Sequence, residues 1–138
     1  MYISMVYACL DPKQGNLSYV NAGHNPPIHF HMKNRSFSYF EKTGMWLGVD
    51  VNSVFGEESE SISPEDLIIL YTDGVSEAEN PKGESFGVSG LETVIRDQCR
   101  DKPAELCQAV IREVLRFTQS SELADDITLL IIKRGKHG

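Results

Sequence analysis

The sequence predicts an α+β fold in which antiparallel strands carry a helical hairpin on one face. Three observations lead there. The first sixty of its 138 residues alternate apolar and polar positions in strand fashion. Two stretches with helical spacing follow, between Ser89 and Phe117. Two continuous apolar runs, Leu67–Thr72 and Ile127–Ile132, have strand length and suit strands buried on both faces. Strands grouped first and helices afterwards, with a returning central strand, is the α+β order.

Residues 2–10 read as the first strand, and Asp11-Pro12-Lys13-Gln14-Gly15 as a turn with glycine where a positive φ is wanted. Leu17 and Tyr19, then Ile28, Phe30 and Met32, place apolar side chains on one face of a meander. Lys33-Asn34-Arg35 returns the chain into Phe37 and Tyr39. A strand near residues 54–62 and the turn Ser63-Pro64-Glu65-Asp66 lead into the run from Leu67. Residues 75–88 read as a loop over the strand ends. Ser89-Gly90-Leu91-Glu92 is a capping-box pattern with Ser89 as N-cap. A second helix runs from about Pro103 to Phe117, with Leu106, Val110, Val114 and Phe117 as its inner stripe. One sheet of six or seven strands would have two faces, and two helices cover one. The other needs a second sheet or a partner chain, so self-association through an uncovered face is expected.

Composition narrows the function. The chain is 41% hydrophobic with a net charge of −7, enough for a core and the wrong sign for nucleic acid. Cys9, Cys99 and Cys107 form no C-x-x-C pair and are expected to be reduced, partly buried thiols. No signal peptide is read, and the apolar runs fall short of the roughly 20 residues of a membrane span. A cytoplasmic protein without membrane contact is the expectation.

The chemistry lies at the ends of the two apolar runs. The first enters Asp73-Gly74, and the second leaves Asp125-Asp126. If the strands are antiparallel neighbours, Asp73 meets Asp125. Converging carboxylates repel unless a cation or proton lies between them, and hard oxygen donors suit magnesium or manganese. The bland alternative is an Asp-Gly turn that merely ends a strand. His29 and His31 form an H-x-H that could ligate a transition metal, but they are expected to face solvent opposite Ile28 and Phe30. Glu77 and Glu79 either extend an acidic site or solvate a loop. His24, between a glycine and two prolines, fits a locally bonded turn residue before it fits a neighbour shaping substrate approach.

Three motifs in order resemble one family: Asn21-Ala22-Gly23-His24-Asn25-Pro26-Pro27, Tyr71-Thr72-Asp73-Gly74-Val75-Ser76-Glu77-Ala78, and Asp125-Asp126-Ile127-Thr128. Phe86-Gly87 and Leu47-Gly48-Val49 also fit. Together they resemble the C-terminal half of the PPM metal-dependent serine/threonine phosphatases, in the bacterial SpoIIE-like branch. The resemblance implies part of an α-β-β-α sandwich, which supplies the second sheet, and two Mn²⁺ or Mg²⁺ ions holding a water that attacks a phosphoserine or phosphothreonine. It implies Asp73 and Asp125 as metal ligands, with Asp126, Gly74, His24 and Asn21 in supporting roles. The implied substrate is a phosphorylated regulatory protein, such as an anti-anti-sigma factor. The family's bridging aspartate lies in an Asp-x-x-Gly-type motif of its N-terminal half, and Asp73-Gly74 is the sole Asp-Gly here. Residues 1–138 are therefore expected to be the C-terminal portion of the domain, its N-terminal part missing, and inactive alone. A non-catalytic regulatory or interaction module on the same scaffold is the alternative. Met45-Trp46 stands where relatives more often carry proline before Leu-Gly.

Overall fold

The computed structural model describes residues 1–136. In chain order these form β1 (Met5–Asp11), β2 (Asn16–Ala22), β3 (Ile28–His31), β4 (Ser36–Tyr39), β5 (Glu58–Ser61), β6 (Leu67–Tyr71), α1 (Asp73–Ser76), α2 (Gly87–Gln98), α3 (Pro103–Thr118) and β7 (Leu129–Lys133). The fold is α+β, as the sequence predicts. The strands divide into two antiparallel sheets, ordered β1-β2-β5 and β4-β3-β6-β7.

Period-two alternation sorts the side chains of the four-stranded sheet between two buried layers. Ile28 stands opposite Ile69 and Phe30 opposite Leu67, and these four pack with Leu91 and Ile95 of α2 and Leu106 and Val110 of α3. Ile68, on the other face, joins Leu17, Tyr19, Phe40 and Ile62 between the sheets. The layers are thus helices, sheet, sheet. Each fully buried aliphatic contributes about 1.5–3 kcal/mol, so the two clusters hold the strand ends in place.

The second sheet that the resemblance implies is present. β5 pairs with β2, Leu17 facing Glu60, and this long-range choice splits the strands three and four. The chain itself supplies the second sheet.

β7 departs from expectation. It starts at Leu129 and forms a sheet edge rather than a centre. Ile131 is buried toward the helices, but Leu130 is 52% and Ile132 37% exposed. Their side of the strand faces the gap between the sheets, where Leu10, 45% exposed, also lines an open apolar groove with Ile68 and Ile132. The uncovered apolar surface is therefore this inter-sheet opening.

Ser89 is not an N-cap. α2 begins two residues earlier at Gly87, whose φ is +70°, and carries no side-chain cap. Phe86, buried in the core, anchors the entry. Glu92 accepts a hydrogen bond from the Tyr39 hydroxyl instead of reaching back, and that bond pushes the Tyr39 pKa up to about 12. The stripe Leu106, Val110, Val114 on α3 is buried as expected. The three cysteines are free; Cys99 is buried and Cys107 half-buried, whereas Cys9 is exposed on β1. No helix among the described residues is long and apolar enough to cross a membrane.

Candidate functional site

β6 and β7 are antiparallel neighbours, with Tyr71 opposite Leu129. The end of one strand therefore adjoins the start of the other. Just beyond the ladder, Thr72 N–H donates to the Thr128 carbonyl at 3.1 Å. Asp73 then opens the single turn of α1, which carries the chain away as Glu77 N–H bonds the Asp73 carbonyl at 2.8 Å. Gly74 packs against the Asp126 carbonyl so closely that a Cβ would overlap its oxygen. A glycine there is what permits the two strand ends to approach.

Asp73 and Asp125 are both exposed and line one cleft of about 280 Å³, together with Glu77 and Glu79. Asn25 donates from Nδ2 to Asp73 Oδ1 at 2.6 Å. Asp125 Oδ1 accepts the Asp126 N–H at 2.7 Å. Each carboxylate is thus held through one oxygen, and the other has no hydrogen-bond partner among the described residues. Two anchored carboxylates sharing a solvent-open cleft form a hard donor set, which fits Mg²⁺ or Mn²⁺ rather than a soft-ligand metal. The negative Asp73 is also felt at Tyr71, whose hydroxyl is held above its ordinary pKa by burial first and by Asp73 second.

The supporting residues separate into different tasks. Asp126 meets Gly74 through its backbone carbonyl and pins Asp125 through its N–H. Asn21 is buried outside the cleft. Its Nδ2 donates to the Phe40 carbonyl at 2.9 Å, and its Oδ1 accepts His24 N–H at 2.9 Å, so it shapes the loop 21–27. His24 is paired over a distance in sequence, its Nδ1 lying 3.1 Å from Ser4 Oγ. It lines a second, wider cleft of about 540 Å³ that also contains Asn25, Lys42, Trp46, Asp73 and Glu77. Asp73 and Glu77 belong to both clefts.

His29 does not face solvent. Ile28 and Phe30 take the helix side of β3, and the alternate side is the inter-sheet layer, where His29 is fully buried. His29 Nε2 lies 2.9 Å from Asp66 Oδ2, and Asp66 also accepts the backbone N–H groups of Met32 and Ser63, each at 2.9 Å. Burial lowers the His29 pKa against the opposing pull of Asp66, keeping the ring neutral. His31 is partly exposed, its Nε2 2.8 Å from Ser38 Oγ. Ligand atoms of His29, His31 and Asp66 lie within 4.8 Å of one another. This cluster precedes β6 whereas Asp73 follows it, so about 20 Å of strand separates the two.

Asn25 is the residue that sequence reasoning passed over. It stands in a quoted motif, but nothing local links a turn amide to a carboxylate 48 positions later.

A family model described as Stage II sporulation protein E (SpoIIE) matches residues 1–135. Protein IcfG of Synechocystis is 32% identical over 135 residues, covering 97% of this chain and 21% of that protein. Phosphoserine phosphatase RsbU of Bacillus subtilis is 26% identical over 134 residues, covering 97% of this chain and 39% of that one. Among solved structures, the SiaA-PP2C domain of Pseudomonas aeruginosa superposes with a TM-score of 0.81 at 17% identity, over 96% of this chain and 52% of that one. The fold is that of PP2C phosphatase domains, and the chain spans well under half of either relative's length.

Proposed function

Since the chain belongs to the SpoIIE family, we propose that it carries the C-terminal portion of a metal-dependent serine/threonine protein phosphatase domain. The observation that supports this best is the shared cleft of Asp73 and Asp125, each carboxylate anchored through one oxygen. In this reading Asp73 and Asp125 hold Mn²⁺ or Mg²⁺. When bound, the metal supplies an activated water and positive charge against the phosphoryl group. The chain's own residues do the positioning. Asn25 fixes the Asp73 carboxylate, Gly74 lets the β7 strand end close on α1, and Asp126 orients Asp125 through its N–H. His24 and Asn21 hold the loop that delivers Asn25.

The substrate class is a phosphoserine or phosphothreonine on a regulatory protein such as an anti-anti-sigma factor, in the cytoplasm. RsbU is named a phosphoserine phosphatase, which supports the phosphoserine part of that reading. The bridging aspartate of a two-metal site is proposed to come from outside these residues, since Asp73-Gly74 is the sole Asp-Gly here.

The test is Mn²⁺-dependent phosphate release from a phosphoserine peptide, by this chain and by a form extended about 100 residues upstream, a small-domain increment. Release by the extended form alone is the expected result. Silence in both, with metal present and the fold intact, would favour the second reading, a regulatory module on the phosphatase scaffold, which the presence of just two aspartates in the cleft motivates.

A further inference from the structure

The wider cleft beside Asp73 has a wall that no catalytic role accounts for. Trp46 lies there 40% exposed, yet it is firmly held. Its Nε1–H donates to the Gly23 carbonyl at 2.9 Å. Its ring stacks on Tyr2, the centroids 4.8 Å apart. The residues next to this pair, Ile3 and Leu47, exchange two backbone hydrogen bonds of 3.0 and 2.8 Å, which fix the stack to the chain. Gly23, at φ +72°, closes the arrangement, because a Cβ there would stand 2.6 Å from the indole Nε1. A fixed aromatic stack left open to solvent is a low-entropy contact surface.

The same cleft contains Lys42, whose ammonium has no ion-pair partner among the described residues. Lys42 is the lysine or arginine lining this cleft, and with a divalent ion on Asp73 offsetting the carboxylates, as the phosphatase reading has it, its charge complements an anion entering there. Lysine binds phosphate as a mobile point charge.

From these features we infer that the cleft is the docking subsite for the substrate's phosphorylated segment. Lys42 receives the phosphoryl oxygens, and the Tyr2–Trp46 stack receives an apolar side chain flanking the phosphorylated residue. The inference rests on the phosphatase reading and adds a sequence preference to it. Trp46 is then a specificity-determining residue.

Trp46 is the single tryptophan of the chain, so its fluorescence reports the cleft directly. The experiment titrates the whole chain, with Mg²⁺ held constant, with three peptides: phosphoserine flanked by leucine, its unphosphorylated twin, and phosphoserine flanked by glycine. Saturable change in emission is expected. The leucine-flanked phosphopeptide should bind about fivefold or more tighter than either control, as a charge-assisted contact and one apolar contact each allow. Lys42→Gln should reduce the preference for phosphate to below about twofold, and Tyr2→Ser the preference for leucine likewise. Circular dichroism checks that both exposed substitutions leave the fold intact.

Phosphate release, measured in parallel, keeps the two readings apart. Selective binding by this chain, with phosphate release by neither it nor the upstream-extended form, upholds the subsite and counts against the hydrolase. Release without any Trp46 response, equal affinity for all three peptides, or no response at all overturns the subsite.

Discussion

Thr72 and Thr128 clasp the ends of β6 and β7 in both directions: Thr72 N–H donates to the Thr128 carbonyl at 3.1 Å, and Thr128 N–H to Thr72 Oγ1 at 3.0 Å. The threonine hydroxyl takes the place of a backbone carbonyl at the point where the ladder stops. Sheet geometry therefore continues up to the residues that precede Asp73 and follow Asp125–Asp126. The candidate metal ligands sit just beyond a hydrogen-bonded pair of strand ends, while their carboxylates remain open to solvent.

Replacing Asp73 or Asp125 with alanine should abolish metal-dependent phosphate release by the full-length protein and leave its thermal midpoint without metal nearly unchanged, because both side chains are exposed. Asn25→Ala should weaken Mn²⁺ binding by about 10- to 100-fold, the usual cost of losing a residue that orients a ligand. A phosphate-release assay checks the first effect, and calorimetric titration with Mn²⁺ gives the affinity of all three variants. Unchanged affinity in the aspartate variants would remove these residues from the metal site.

Gly74→Ala should destabilise the fold by about 1–3 kcal/mol, the cost of forcing an atom into a packed site. The clash is with the backbone carbonyl of Asp126, which no rotamer change relieves. Urea unfolding gives the stability, and metal titration should show a parallel loss as the strand ends separate. A neutral substitution would mean that the strands do not approach as described.

Stability should fall on acidification through His29. Burial places its folded pKa below the ordinary 6.5, so the unfolded chain takes up a proton that the folded chain resists. The contribution is complete above pH 6.5 and is lost as pH falls toward the folded pKa. His31, Asp66 and Glu60 act on the same ring. His29→Phe should flatten the dependence of thermal midpoint on pH between about 6.5 and 5 relative to the parent; an identical slope would exclude His29 as its source.

The opening between the sheets should promote self-association. Leu10, Leu130 and Ile132 expose apolar surface there, and β7 and β1 are unpaired sheet edges beside it. Light scattering should show mass rising with concentration, and Leu130→Lys with Ile132→Lys should return it to that of a monomer. A monomeric parent at high concentration would leave the opening without this role.

Much of this was legible because it is local. The apolar run Leu67–Thr72 and the aspartate after it announce a buried strand ending at a carboxylate, and the pairing with β7 follows once the strands are neighbours. The split into two sheets was legible through the family resemblance and not from local pattern, since it depends on β5 choosing β2 over β4 or β6 as partner. His29 was misread for the same reason: alternation distinguishes two faces but does not say that both are buried. Ser89 and Glu92 have the right spacing for a cap, but Phe86 and Tyr39 supply stronger tertiary partners. Asn25 needed the fold to reveal its target.

Asp73 and Asp125 are 52 positions apart (125 minus 73), with both long helices and the loops around them in between. An ion held by both carboxylates would act as a removable cross-link closing that loop. A covalent link of this span would restrict the unfolded chain by about 4 kcal/mol, an upper bound for a reversible tie. Susceptibility to proteases within α2 and α3 should then follow divalent-metal supply, with chelation exposing cleavage sites that added Mn²⁺ protects. Equal digestion with and without Mn²⁺ would mean that no such tie forms. Where it does form, the metal that equips the cleft for chemistry also sets how long the protein survives.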